Sequence, residues 1–305
     1  MGGERSQPNW KNAQKRLDSG ENAMALGRTI MALIACLITG PGVAEEAGTG
    51  RYADINGLNL YYEVHGDGEP LVLLHGAYCT IEICLTPFIP TLAETRMVIA
   101  PEMQGHGRTA DISRPISYTD MAADVITLLD ELGIERTDVI GYSMGGGVAI
   151  ELAISHPDRV RRAVPISTSL SNAGIYPQLL EMIEAITPES FMGTPWHDAY
   201  ISVAPNPEAF PELVSKLQAL DVGFDGWSAE SLSSSPVPML FIIGDADIIK
   251  PEHAVEMFTL VGGGVPGDLV ERPASQLAII PGASHVGILQ QGELVAQIAA
   301  TFVSP

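Results

Sequence analysis

Val139-Ile140-Gly141-Tyr142-Ser143-Met144-Gly145-Gly146-Gly147 centres one serine in a G-x-S-x-G pentapeptide, between an apolar run and the opening of a helical pattern. A serine on so sharp a strand-to-helix turn holds a strained backbone, and the residues two positions either side must lack bulk for strand and helix to approach. Gly141, Gly145 and Gly146 meet that need. The helix then presents its amino terminus, which stabilises negative charge, beside the hydroxyl. Five residues of this form arise by chance, so the flanks carry the weight: strand before, helix after.

The chain on either side alternates strand-like and helix-like stretches. Residues 52–55 and 58–64 read as two short strands joined at Asn56-Gly57, a hairpin signal. Apolar runs follow at Leu71-Val72-Leu73-Leu74, Met97-Val98-Ile99-Ala100, Val139-Ile140 and Met239-Leu240-Phe241-Ile242-Ile243. Runs without polar alternation suit strands buried on both faces of a parallel sheet. Between them Met121, Val125, Leu128, Leu129 and Leu132 recur at helical spacing, opened by Ser117 with Asp120 three residues on and closed by Gly133. Strand, helix, strand in succession predicts right-handed crossovers and an α/β fold with a mostly parallel sheet. Val164-Pro165-Ile166 continues the sheet, but the next strand waits until Met239, too far for one crossover. Residues 169–228 are therefore expected to form a helical cap inserted into a core of residues 45–168 and 229–305. Its aromatics include Phe191, Trp196, Tyr200, Phe224 and Trp227, each expected in the packing of the cap before any substrate cage.

A serine hydroxyl needs a base, and the base an orienting acid. After residues 239–243 comes Gly244-Asp245-Ala246-Asp247, two carboxylates at the end of a strand. After Leu277-Ala278-Ile279-Ile280 comes Pro281-Gly282-Ala283-Ser284-His285, a histidine in the equivalent place. Singly these are turn or loop residues. Together their order is Ser, Asp, His, that of the nucleophile-elbow hydrolases.

On these residues the chain resembles a capped α/β-hydrolase over essentially all of residues 51–305. The likeness extends to His75-Gly76-Ala77-Tyr78 after the third strand and to the loop Pro101-Glu102-Met103-Gln104-Gly105-His106-Gly107-Arg108-Thr109 after the fourth. Glu102 stands where that loop usually has Asp, and Thr109 where it has Ser. The resemblance implies a catalytic unit of Ser143, Asp247 and His285, with Asp245 as the other candidate acid. It assigns the oxyanion hole to the backbone NH groups of Ala77 and Met144. His75 is implied to be a structural residue of the oxyanion loop. His65 and His106 are expected in loops, and His253 at a solvated helix position.

Neither H-e-x-x-H nor C-x-x-C occurs, so no metal is expected, and the Gly145-Gly146-Gly147 run has neither phosphate-binding nor dinucleotide form, so no cofactor is implied. Ser143 disfavours the epoxide hydrolases and haloalkane dehalogenases of this fold, which use a carboxylate nucleophile. Perhydrolases and cofactor-free haloperoxidases share the triad, and some proteins of the fold sense small molecules without turning them over. Ester hydrolysis is the default reading. A cap with aromatics and methionines (Met182, Met192) suits an apolar substrate, and resemblance to macrolide esterases gives a lactone such as a macrolide as the specific expectation.

Composition bounds these readings. The 305 residues are 46% hydrophobic and 17% charged, enough for a sizeable core. Sixteen basic against 37 acidic residues give a net charge of -21, which repels phosphate backbones, so nucleic acid is not an expected partner. Arg5, Lys11, Lys15 and Arg16 precede an apolar run at residues 30–38 and small residues to Ala44, the order of a cleaved secretory signal. Export is expected, with residues 1–44 removed and translation starting at Met1 or Met24. Leu33-Ile34-Ala35-Cys36 resembles a lipoprotein box, but the apolar run continues past the cysteine. Cys79 and Cys84, five apart on one helix, would lie beyond the reach of a disulfide, so free buried thiols are expected.

Overall fold

The computed structural model describes residues 49–304. The signal segment, its cleavage at residues 44–45, both candidate starts and Cys36 lie outside the described residues. Strands β1 (Thr49–Ile55) and β2 (Leu58–His65) form an antiparallel hairpin whose turn residues Asn56 and Gly57 both take positive φ, 49° and 87°. That geometry is what Asn-Gly supplies. Then follow β3 (Glu69–Leu74), α1 (Ile81–Cys84), α2 (Ile89–Ala93), β4 (Arg96–Pro101), α3 (Tyr118–Glu131), β5 (Thr137–Tyr142), α4 (Met144–Ser155) and β6 (Val160–Ile166). The segment between β6 and β7 is helical, with α5 (Pro177–Glu184), α6 (Pro195–Val203), α7 (Phe210–Gly223), α8 (Ala229–Ser233) and short 3-10 turns. The chain closes with β7 (Leu240–Ala246), α9 (Pro251–Leu260), β8 (Gln276–Ser284), α10 (Gly287–Gln290) and α11 (Gly292–Val303).

The eight strands make one sheet in the order β1-β2-β4-β3-β5-β6-β7-β8. Only the β1–β2 and β2–β4 pairings are antiparallel. Every residue of β5 is buried, as expected of a central strand covered on both faces. Helix α4 is buried from Met144 through Ala153 and packs on β5, β6 and α3. Helix α3 shows the expected amphipathic face, with Met121, Val125, Leu128 and Leu129 buried and Ser117 Oγ accepting from Asp120 N at 3.0 Å.

Between β6 and β7, Phe191, Trp196, Tyr200 and Phe210 are buried together, with Phe191 and Tyr200 against Phe210 at ring-centroid distances of 5.6 and 5.1 Å. The segment rests on the loops that follow β3 and β4: Phe191 stacks on Tyr78 at 4.4 Å, and Leu213 lies against Gly105. Lys216 Nζ of α7 donates to Asp111 Oδ2 at 2.7 Å and to the Ile112 and Arg114 carbonyls at 2.6 and 2.9 Å.

Three expectations are overturned. Cys79 and Cys84 are joined in a disulfide with Cα atoms 5.9 Å apart. The reason is helix length: α1 begins only at Ile81, and Cys79 lies in the turn before Thr80, the residue capping it, so the two cysteines are not on one helix. His253 is buried rather than solvated, its Nε2 accepting from Leu170 N at 3.2 Å and its Nδ1 lying 3.0 Å from Glu256. His65 ends β2 instead of lying in a loop. No helix among the described residues is long and apolar enough to cross a membrane.

Candidate active site

Ser143 follows β5 directly and caps α4, with φ 53° and ψ -115°. Such a backbone is costly for a residue with a Cβ and persists only when its surroundings over-determine it. The clamps are on both sides: Ser143 N donates to Ile166 O at 2.8 Å, and Gly147 N to Ser143 O at 3.1 Å. A Cβ at Gly141 would sit 2.0 Å from Gly145 O, and one at Gly145 2.5 Å from Leu74 O. Strand and helix therefore approach only because both positions lack side chains.

Parallel pairing of β7 with β8, including Ala246 opposite Ser284, brings the next residues, Asp247 and His285, to the same level at the sheet's C-terminal end. Ser143 Oγ lies 3.0 Å from His285 Nε2, and His285 Nδ1 2.8 Å from Asp247 Oδ1. Tyr142 Oη holds the His285 carbonyl at 2.9 Å. The Asp247 carboxylate is fully buried and accepts from Ile248 N at 2.7 Å, Gly244 N at 3.2 Å and Ser167 Oγ at 2.6 Å. Burial alone would raise its pKa, but the adjacent His285 and these donors outweigh it and hold the carboxyl below the usual range. Asp245 is elsewhere: exposed, accepting from Gly282 N at 2.8 Å.

No motif marks Ser167. It follows β6, takes φ 51°, is buried, and its amide donates to Ile242 O at 2.8 Å while its hydroxyl reaches Asp247. It is 80 residues from its partner, a pairing no local motif encodes.

Ala77, at the end of β3's loop, lies beside Tyr78, whose φ is 62°. That loop is fixed by two fully buried histidines. His75 Nδ1 donates to Gly76 O at 2.8 Å and Nε2 accepts from Met103 N at 3.0 Å. His106 Nε2 accepts from Tyr78 N at 3.2 Å, with Nδ1 donating to Gln104 O at 2.9 Å. Burial pushes their pKa values down to about 4 and about 3, so both are neutral and free to accept these amides. Met144 is the first residue of α4, where backbone NH groups have no acceptor within the helix. The two departures in the second loop keep its geometry: Glu102 accepts from Ile81 N at 3.3 Å and Arg108 N at 2.5 Å, and Thr109 Oγ1 accepts from Tyr61 N at 2.9 Å. Among the described residues no group of three or more His, Cys, Asp or Glu side chains is placed to hold a metal ion.

A family model described as alpha/beta hydrolase fold matches residues 69–210. The protein named carbamate hydrolase RutD from Azorhizobium caulinodans is 30% identical over 234 residues, 70% of this chain and 86% of that one. Among solved structures, the carboxylesterase CesB of Bacillus subtilis superposes with a TM-score of 0.66 at 20% identity, over 92% of this chain and 96% of its own. The meta-cleavage product hydrolase CumD of Pseudomonas fluorescens gives 0.65 at 22% identity, over 84% and 97%.

Proposed function

The chain belongs to the alpha/beta hydrolase family, and on that premise we propose that it is a serine-dependent carboxylic ester hydrolase acting through an acyl-enzyme. The observation that carries this reading is the unbroken contact from Ser143 Oγ through His285 to the buried Asp247. With its Nδ1 proton donated to Asp247, His285 presents the Nε2 lone pair to the serine hydroxyl. The imidazole takes the proton as Oγ attacks the ester carbonyl, and returns it to the leaving alcohol as the tetrahedral intermediate collapses. Water, activated by the same imidazole, then attacks the acyl-enzyme and releases the acid and free Ser143. The NH groups of Ala77 and Met144 are the donors to the oxyanion in both steps. Asp247 stays ionised throughout and stabilises the imidazolium.

The helical segment, placed at residues 169–228, acts as the cap over this end of the sheet. Its contacts with Tyr78 and Gly105 support that role. A large lactone such as a macrolide is the substrate proposed for so covered a site. Export of the chain is supported by the signal-like residues 1–44 and by the Cys79–Cys84 disulfide, a bond that persists in oxidising compartments.

Incubation with an organophosphonate should label Ser143 and abolish activity, and turnover should appear on a panel of p-nitrophenyl esters and lactones. Labelling at another residue would overturn the mechanism. A labelled Ser143 with no ester turnover would move the reading to a receptor, and turnover confined to carbamates would move it toward the chemistry named for the RutD relative.

A further inference from the structure

Tyr142 ends β5, the central strand in which every residue is buried, and directly precedes Ser143. Only 5% of its surface is exposed. Its Oη donates to the His285 carbonyl at 2.9 Å, and the phenol and imidazole ring centroids lie 5.5 Å apart with the planes tilted by 34°. The same phenol ring borders the oxyanion loop: a Cβ on Gly76 would come within 3.0 Å of Tyr142 Cδ1 and Cε1 and within 3.3 Å of Ser143 Cβ. One buried side chain therefore adjoins the three segments that carry His285, Ser143 and Ala77. Packing does not require its oxygen, since phenylalanine would fill the same space. The contacts among Ser143, His285 and Asp247 run through the imidazole and leave the phenol unused.

What the oxygen does follows from where His285 stands. β8 ends at Ser284, whose pairing with Ala246 is the last of the β7–β8 register, and α10 begins at Gly287, so His285 lies in the short connection between them. Asp247 orients the imidazole, but the distance from Nε2 to Ser143 also depends on the backbone that carries the ring. A hydrogen bond to that backbone from the residue next to the nucleophile fixes the distance directly, because donor and nucleophile share one buried strand end. A displacement of about 1 Å in such an arrangement is enough to cost about 10^2-fold in rate. The donor is also permanent. Burial, reinforced by the Asp247 charge, pushes the phenol pKa well above its ordinary value, so the hydroxyl keeps its proton throughout the neutral range.

Resting on the serine-esterase reading, we propose that Tyr142 is a positioning residue for His285: its hydroxyl tethers the backbone of the base, and its ring spaces the base and the oxyanion loop around Ser143. It acts through the imidazole and takes no proton itself. The imidazole receives a proton from Ser143 in acylation and from water in deacylation, so losing the tether slows both steps. Turnover suffers, whereas ground-state binding of the substrate does not.

Tyr142→Phe removes the oxygen and keeps the ring. On p-nitrophenyl butyrate its kcat should fall by about ten- to a hundredfold with KM within about threefold. Tyr142→4-aminophenylalanine, which returns an N–H donor to the same place, should regain most of the lost rate. Isotope-labelled histidine gives a readout that needs no turnover. The His285 imidazole signals, identified by their loss in His285→Ala, should form one sharp set in the wild type and be broadened or doubled in Tyr142→Phe, as for a ring exchanging between two positions in microseconds to milliseconds. Wild-type kcat in Tyr142→Phe, a rise in KM alone, unchanged His285 signals, or a loss that 4-aminophenylalanine does not reverse would each overturn the proposal. If Tyr142→Phe does not fold, the 4-aminophenylalanine variant decides: near-normal kcat with one sharp set of His285 signals sustains the tether, and a folded protein with low kcat removes it. If phosphonate fails to label Ser143 and no ester is turned over, the esterase reading falls by itself. The His285 signals then decide alone: broadening or doubling on loss of the hydroxyl sustains the tether, and unchanged signals remove it.

Discussion

Ser167 shows how much of the proposed catalytic site lies outside its motif. Its hydroxyl is one of the donors that keep the buried Asp247 ionised, and Ser167→Ala removes that donor without changing the backbone requirement at φ 51°. Losing a hydrogen bond to a buried charge should cost about 1.5–3 kcal/mol of stability, read from denaturant unfolding. The sign of the pH effect follows from Asp247. Its folded pKa is depressed, so its contribution is present above the unfolded-state value and lost as pH falls through the folded one. Ser167→Ala raises the folded value, so acid unfolding should begin at higher pH than in the wild type; an unchanged acid midpoint would count against this account. The proposed nucleophile and base are less forgiving: Ser143→Ala and His285→Ala should each lose roughly 10^4- to 10^6-fold in kcat. Asp247→Asn should be far worse than Asp245→Asn, because only Asp247 touches the imidazole. The serine, the histidine and both candidate acids were legible in sequence because each follows an apolar run. Choosing between the acids needed the family pattern, and the part played by His106 in holding the Tyr78 amide was hidden, since only folding brings residues 78 and 106 together.

At the level of elements, the uninterrupted apolar runs translated directly into β3, β4, β5 and β7, and Asn56-Gly57 into a hairpin turn. These signals are local, so no tertiary contact was needed to read them. The cysteine pair was misjudged for the opposite reason: a helix boundary between residues 79 and 81 decides whether a bridge is possible, and boundaries are the least local property of a helix. The elbow offers the sharpest test of element packing. Gly145→Ala would place a methyl against the Leu74 and His75 carbonyls, backbone atoms of β3 and its loop that cannot step aside. A loss of about 3 kcal/mol or more, or failure to fold, is expected from thermal unfolding. Gly133→Ala, where nothing lies within 4 Å of the added Cβ, should cost only the strain of its positive φ, about 1 kcal/mol.

Across the whole molecule, the architecture was readable from the alternation of patterns, whereas the resting place of the helical segment was not, because its anchors are single long-range contacts. The disulfide has consequences for handling. Closing so short a loop is worth about 2 kcal/mol in the chain-entropy model, so Cys79→Ser with Cys84→Ser, or reduction, should lower Tm by roughly 4–8 °C. Expressed in a bacterium, the chain should be recovered from the periplasm beginning near Glu45. N-terminal sequencing checks this, and a cytoplasmic product retaining residues 1–44 would refute export. Lys216 is the only Lys or Arg between residues 169 and 239. This lone ammonium ties α7 to the loop after β4 through one carboxylate and two carbonyls, beside the packing of Phe191 on Tyr78 and the hydrogen bond from Trp227 Nε1 to Glu151 Oε2 at 2.6 Å. A chimera that imports the corresponding segment from a relative should unfold at lower temperature when it lacks a lysine at that position than when it carries one, which makes residue 216 a position to preserve when the specificity of this scaffold is re-engineered.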